Sequence, residues 1–245
     1  MASRFSGPGK AYEGLAESGN WTGSVRFIED RLKDPLRWRK PRRVFVCSMS
    51  DLFHDGAPDR QIARVFGIMQ SAKQHTYIVL TKRPARMREW VRWFREEWLL
   101  RGDWEREYGH VWLGVSAENQ EAADERIPIL LDTPAAVRWV SVEPMLEAMD
   151  VSPFLCREGP HISPGGCDPF PTTMPALDWV VCGDESGPGA RLIDPNWARS
   201  LRDQCIAAGV PFFLKQIDCV KMPALDGKAW DEYPREASPF VEVGK

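Results

Sequence analysis

The chain contains no pair of cysteines at C-x-x-C spacing and no compact trio. Its six cysteines (Cys47, Cys156, Cys167, Cys182, Cys205 and Cys219) are scattered along it, so no redox pair or cluster motif is written locally. No apolar run approaches the roughly 20 residues that span a bilayer. The first ten residues, Met1 to Lys10, lack the apolar core of a secretory signal. A cytoplasmic protein with no membrane partner is therefore expected. No G-x-G-x-x-G follows the first strand, which counts against dinucleotide binding. Ser186 sits in Glu-Ser-Gly rather than G-x-S-x-G, which counts against a nucleophile elbow.

What is present is ordinary in amount and unusual in arrangement. The 245 residues, 43% hydrophobic and 27% charged, suit one large α/β domain or two small ones. Residues 1–110 carry 21 Lys/Arg against 14 Asp/Glu, whereas 111–245 carry 11 against 21. Within the first part, Arg31, Lys33, Arg37, Arg39, Lys40, Arg42 and Arg43 crowd beside Trp38. Such a patch can track phosphates, with Arg37, Arg39, Arg42 and Arg43 as the candidate anion-binding residues. A solvated helix and loop face explains the same run.

The stretch Arg43 to His54 sets a pattern that recurs. A short apolar run without alternation, Val44 to Cys47, suits a strand buried on both faces. It then breaks into Ser48, Ser50, Asp51 and His54. Further strands are expected at 23–28, 76–80, 111–115, 137–141, 178–182 and 210–214. Helices are expected between most of them. One follows Pro58 with Ile62, Val65, Phe66 and Met69 on its apolar face, and one carries Met87, Trp90, Val91, Phe94 and Trp98. A short helix over 29–38 is interrupted at Pro35. A segment from Gln120 breaks at Pro128, and a helix capped by Asp194 ends at Gly209 with Trp197, Leu201 and Cys205 on one face. Residues 151–177 hold six of the twenty prolines and read as an inserted loop outside the core. This β/α alternation implies an α/β fold with a parallel sheet, closed into a barrel or partial barrel. A single barrel-like domain is expected over 1–222, followed by a tail over 223–245.

Six strands end in polar residues, and in a parallel barrel those ends share one mouth. The candidate binding residues are Ser48, Ser50, Asp51, Lys82, Glu118, Glu143, Glu185 and Lys215. A mouth with carboxylates and cations fits a polar or anionic small molecule or a nucleic-acid substrate. Some of these groups have a simpler use: Asp51, Asn119 and Ser186 suit helix caps. Asp51 and His54 are both metal-ligand types, which leaves a metal-dependent hydrolase as an alternative, although two ligands make no site. Cys156, His161 and Cys167 form a second, weaker loop candidate. A nucleic-acid-binding module using the 31–43 patch is the other alternative.

Several motifs together resemble a known family: Ser48-Met-Ser-Asp-Leu-Phe-His54, Leu80-Thr-Lys-Arg-Pro84, Trp112-Leu-Gly-Val-Ser116, Ser141-Val-Glu-Pro144, Gly183-Asp-Glu-Ser-Gly187 and Pro211-Phe-Phe-Leu-Lys-Gln216. They are similar to an uncharacterised phage and bacterial family, the phage gene-product thirty-seven/sixty-eight proteins, over about Met1 to Gln216. That family resembles radical S-adenosylmethionine (SAM) enzymes. The resemblance implies a bacterial or phage-infected host, a radical-SAM-like barrel, and a [4Fe–4S] cluster and SAM in complete relatives. Their cluster is held by a cysteine trio in a segment that precedes the part matched by Met1 to Lys10. The first strand and cluster loop are thus expected to be missing here. No cofactor is expected in this chain, nor reductive cleavage of SAM by it. Asp184 also stands where the family usually has glycine.

Overall fold

The computed structural model describes residues 13–17, 20–98, 103–156, 162–163, 166–167, 175–185, 189–217, 220–221 and 223–234. Seven strands form one sheet: β1 (Arg43–Val46), β2 (Thr76–Thr81), β3 (Val111–Ser116), β4 (Val137–Val142), β5 (Trp179–Gly183), β6 (Phe212–Ile217) and β7 (Val220–Lys221). They lie in chain order across the sheet. β1 to β6 are parallel, and β7 returns antiparallel to β6. The sheet curls through 243° into a half-barrel. This is the parallel, partially closed α/β architecture that the alternation implied.

Helices α1 (Glu29–Leu32) and α2 (Asp34–Arg37) precede the sheet. Helix α3 (Asp59–Ser71) joins β1 to β2, and α4 (Pro84–Glu97) with α5 (Trp104–Tyr108) joins β2 to β3. Helix α6 (Gln120–Leu131) joins β3 to β4, and α7 (Pro195–Ala208) joins β5 to β6. Strand alternation sends Tyr77, Val79, Leu113, Val140 and Cys182 outward into a large core with the helices. The opposite face carries Ile78, Trp112, Trp139, Trp179 and Val181 in a second cluster that, among the described residues, no helix residue enters. That second face is the concave side of the half-barrel.

The helix patterns hold where burial demands them. Ile62, Phe66 and Met69 are buried on α3, and Met87, Trp90, Val91 and Phe94 on α4. Trp98 departs from this: it is the C-cap of α4, 63% exposed, and stacks on Phe94 at 5.9 Å. Pro128 does not break α6, which runs on to Leu131. Its ring is on the exposed side, and so is Asp124, whose carbonyl loses the amide partner. Asp194 caps α7 by accepting from Asn196 N at 2.8 Å, and Gly209 closes it at φ 67°. There Ala198, Leu201 and Cys205 are buried, with Trp197 half-buried beside them.

Four expectations change. Residues 23–28 form no strand, and Val25 and Ile28 stay exposed because no neighbouring strand takes their backbone groups. The sheet's seventh strand is the two-residue β7, too short to carry a pattern. β1 is not buried on both faces. Among the described residues it is an edge strand, and Phe45 on its concave side is 45% exposed. The insertion enters the core: Val151 and Leu155 flank a 3₁₀ turn at Ser152–Phe154 and are buried. That turn occupies the β4-to-β5 connection, where no long helix lies among the described residues. No described helix is long and apolar enough to cross a membrane.

Candidate functional site

Parallel strands put all their C-terminal ends on one rim, so the polar tips of β1 to β6 share a mouth. Alternation continues past the strand ends and decides which tips face the concave side. Lys82 follows Ile78 and Leu80, Glu143 follows Trp139 and Ser141, and Lys215 follows Phe213. Lys82 Nζ lies 3.3 Å from Glu118 Oε1, joining β2 to β3. Arg126, reaching up from α6, lies 3.0 Å from Glu118 Oε2 and also donates to Ser116 O at 2.8 Å. Burial works to raise the Glu118 carboxyl, but the Lys82 and Arg126 charges prevail and hold it below the usual range.

A second pair crosses the neighbouring part of the rim. Lys215 Nζ lies 2.7 and 2.9 Å from the two oxygens of Glu143. The pair spans from β6 to β4 over the intervening β5 and passes Gly183 at the end of β5, where a side chain would meet it only in ordinary contact. A Cβ on Gly183 would sit 3.4 Å from Glu143 Cδ and 3.6 Å from Gln216 Cγ. Deeper in the concave face, Trp139 lies flat on β3 because residue 114 is glycine. A Cβ there would meet the indole at 2.3 Å. Phe45 approaches the same indole edge-on at 6.3 Å. The mouth is therefore an aromatic floor under two lysine–glutamate pairs.

Asp51 serves a different purpose. Its carboxylate accepts from Thr81 Oγ1 (2.8 and 2.9 Å), Arg83 (2.9 Å), Lys82 N (3.2 Å) and Phe53 N (2.9 Å). These bonds tie the loop after β1 to the end of β2 and set the backbone from which Lys82 projects. It caps no helix, whereas Asn119 does, accepting from Ala122 N at 2.9 Å. Ser48 and Ser50 are exposed on the turn after β1. That turn begins at Cys47, whose φ of 57° is a left-handed conformation that costs a non-glycine residue. Glu185 is taken up by Arg191, whose backbone N–H and Nε donate at 2.9 and 3.1 Å and whose fork closes on the other oxygen. Ser186 and His161 lie outside the described residues, and nothing is described of the Cys167 side chain.

His54 accepts from Gly56 N at 3.1 Å through Nδ1. Among the described residues no group of three or more His, Cys, Asp and Glu is placed to hold a metal ion. The described thiols are not gathered for an iron–sulfur cluster either. Cys47 lies at the rim, Cys156 lies in the insertion, and Cys182 and Cys205 are buried on the helix side of the sheet. Burial pushes the Cys182 thiol far up and that of Cys205 to about 12, the reverse of what a thiolate ligand needs.

The basic patch lies elsewhere. Arg42 and Arg43 stand at the N-terminal end of β1, the end of the sheet opposite the mouth. Sequence reading did not find Arg126, Gly114, Gly183 or Arg191. Arg126 is one charge among several on α6, and its role follows from where the helix lies.

Fold and rim define a parallel α/β half-barrel with paired charges at its C-terminal strand ends. Over residues 1–234 the chain matches the family "Protein of unknown function (DUF5131)", and it belongs to that family. No curated protein and no solved structure matches it.

Proposed function

We propose that the mouth binds a small polar molecule carrying both a negative and a positive group, in a barrel of radical-SAM-like descent. The relation to the phage and bacterial proteins, and the cytoplasmic setting, belong to the same proposal. The reading rests on one observation: two lysine–glutamate pairs, Lys82–Glu118 and Lys215–Glu143, stand on the rim above an aromatic floor. A zwitterion exchanges these internal partners for its own carboxylate and ammonium groups without leaving a charge unpaired. Ser48, Ser50 and Glu185 lie on the same rim as secondary contacts, and Asp51 holds Lys82 in place. We assign the mouth a binding role and route no radical step through it, since the described thiols offer no cluster site.

Titration calorimetry with S-adenosylhomocysteine, a zwitterion with a planar base, tests this. Binding is expected, and Lys82→Met and Lys215→Met are each expected to weaken it by about tenfold, or ~1.4 kcal/mol. Absence of binding, or lysine variants that bind like the parent, contradicts the reading.

A further inference from the structure

We infer that the end of the half-barrel opposite the mouth carries a binding surface for single-stranded nucleic acid, built on the segment 29–43. Seven cations occupy positions 31–43 against one acid, Asp34. Asp34 is shared by Arg31 and Arg37 at 3.4 and 3.6 Å, and those arginine side chains remain 81% and 73% exposed. Lys33, Arg39 and Lys40 form no ion pair among the described residues. Of the acids adjacent in the chain, Glu29 is engaged by Arg64 of α3, and Asp30 is the other. Arg43 turns away from the group, its guanidinium 3.9 Å over the Tyr233 ring.

The fold does not use this surface for packing. Helices α1 and α2 bury no residue, and Ile28 and Leu36 are 39% and 44% exposed. Yet the backbone beneath it is anchored. The His75 ring, itself buried, meets Pro35 O at 3.0 Å and Trp38 edge-on at 5.6 Å, and Gln74 donates to Trp38 O at 3.3 Å. A preformed cationic surface binds without the cost of ordering itself.

The chemistry selects the partner. Five of the seven cations are arginines, whose planar fork matches a phosphate in two hydrogen bonds. Arg42 lies 4.8 Å over the Trp38 ring, and such planar groups are platforms for unpaired bases. Reading a duplex groove requires an inserted helix or ribbon, but α1 and α2 have four residues each. Helices that short also lack the long apolar face of a membrane-surface helix.

Fluorescence anisotropy with labelled oligothymidylate, the matching duplex and phosphatidylserine vesicles, on the full chain, tests the surface. The single strand is expected to bind best, weakening as salt rises. The exposed triple substitution Arg37→Ala/Arg39→Ala/Arg42→Ala is expected to weaken it by about tenfold or more and to shrink the log–log salt slope by about 2, at roughly 0.7 per lost phosphate contact. Circular dichroism checks that the variant is folded. Lys215→Met at the mouth is expected to leave oligonucleotide binding unchanged, so this surface and the mouth succeed or fail separately. Equal binding by the triple variant, preference for duplex or vesicles, or no binding at low salt overturns the inference.

Discussion

Glu185 accepts three hydrogen bonds from Arg191, and the bound guanidinium holds its carboxyl down at about 2. An ordinary glutamate titrates near ~4.3. A folded value below the unfolded one means the interaction stabilises fully above the unfolded value. That stabilisation is lost as pH falls from about 4.3 through about 2. In Arg191→Ala, the Glu185 midpoint followed by carboxyl NMR is expected to return to the ordinary range. A midpoint still near 2 would mean that another group holds it. At this scale the sequence named the charged residues but not their partners. Lys82 and Glu118 are thirty-six positions apart, Lys215 and Glu143 seventy-two; the pairing of β2 with β3 brings the first pair together, and the second reaches across β5. Asp51 was legible as a polar tip. Its role as a lock was not, because Thr81 and Arg83 meet it from another strand end.

Between elements, β3 and β4 are fitted to each other through Gly114 and Trp139. The indole lies where a side chain on β3 would be, so Gly114→Ala forces it off the strand. Overpacking of this kind typically costs about 1–3 kcal/mol. Urea unfolding of Gly114→Ala is expected to show a loss in that range and a changed near-ultraviolet tryptophan spectrum. A loss under about 0.5 kcal/mol with an unchanged spectrum would show that the indole does not need the glycine. The strands β2 to β6 were readable because continuous apolar runs buried on both faces leave a strong signal. The same signal overstated the burial of β1, and the broken apolar pattern of residues 23–28 misled as a strand. An apolar run records the wish to be covered, and only the neighbours decide whether it is.

For the molecule as a whole, the half-barrel is braced across its open side by the segment after β7. Trp230 O accepts from Leu214 N at 2.7 Å, and Glu232 O accepts from the Trp179 indole at 2.9 Å. Tyr233 then lies 5.2 Å from Trp179, 5.3 Å from Phe213 and beneath Arg43 of β1. Nothing in the polar composition of 223–245 revealed this, because three aromatics without a period carry no pattern. Tyr233→Ala is expected to cost roughly 2 kcal/mol, given a half-buried ring with two aromatic partners. A loss within about 0.5 kcal/mol, as for an ordinary surface change, would show that the brace is idle. The parallel sheet that this brace completes is what turns six scattered polar tips into one rim.

The most direct test of that rim is backbone amide chemical-shift mapping during titration with S-adenosylhomocysteine. The largest shifts are expected at Lys82, Glu118, Glu143, Gly183 and Lys215, with none at Arg39 to Arg42 on the opposite end. Shifts confined to the opposite end, or spread evenly over the chain, would contradict a ligand site at the mouth.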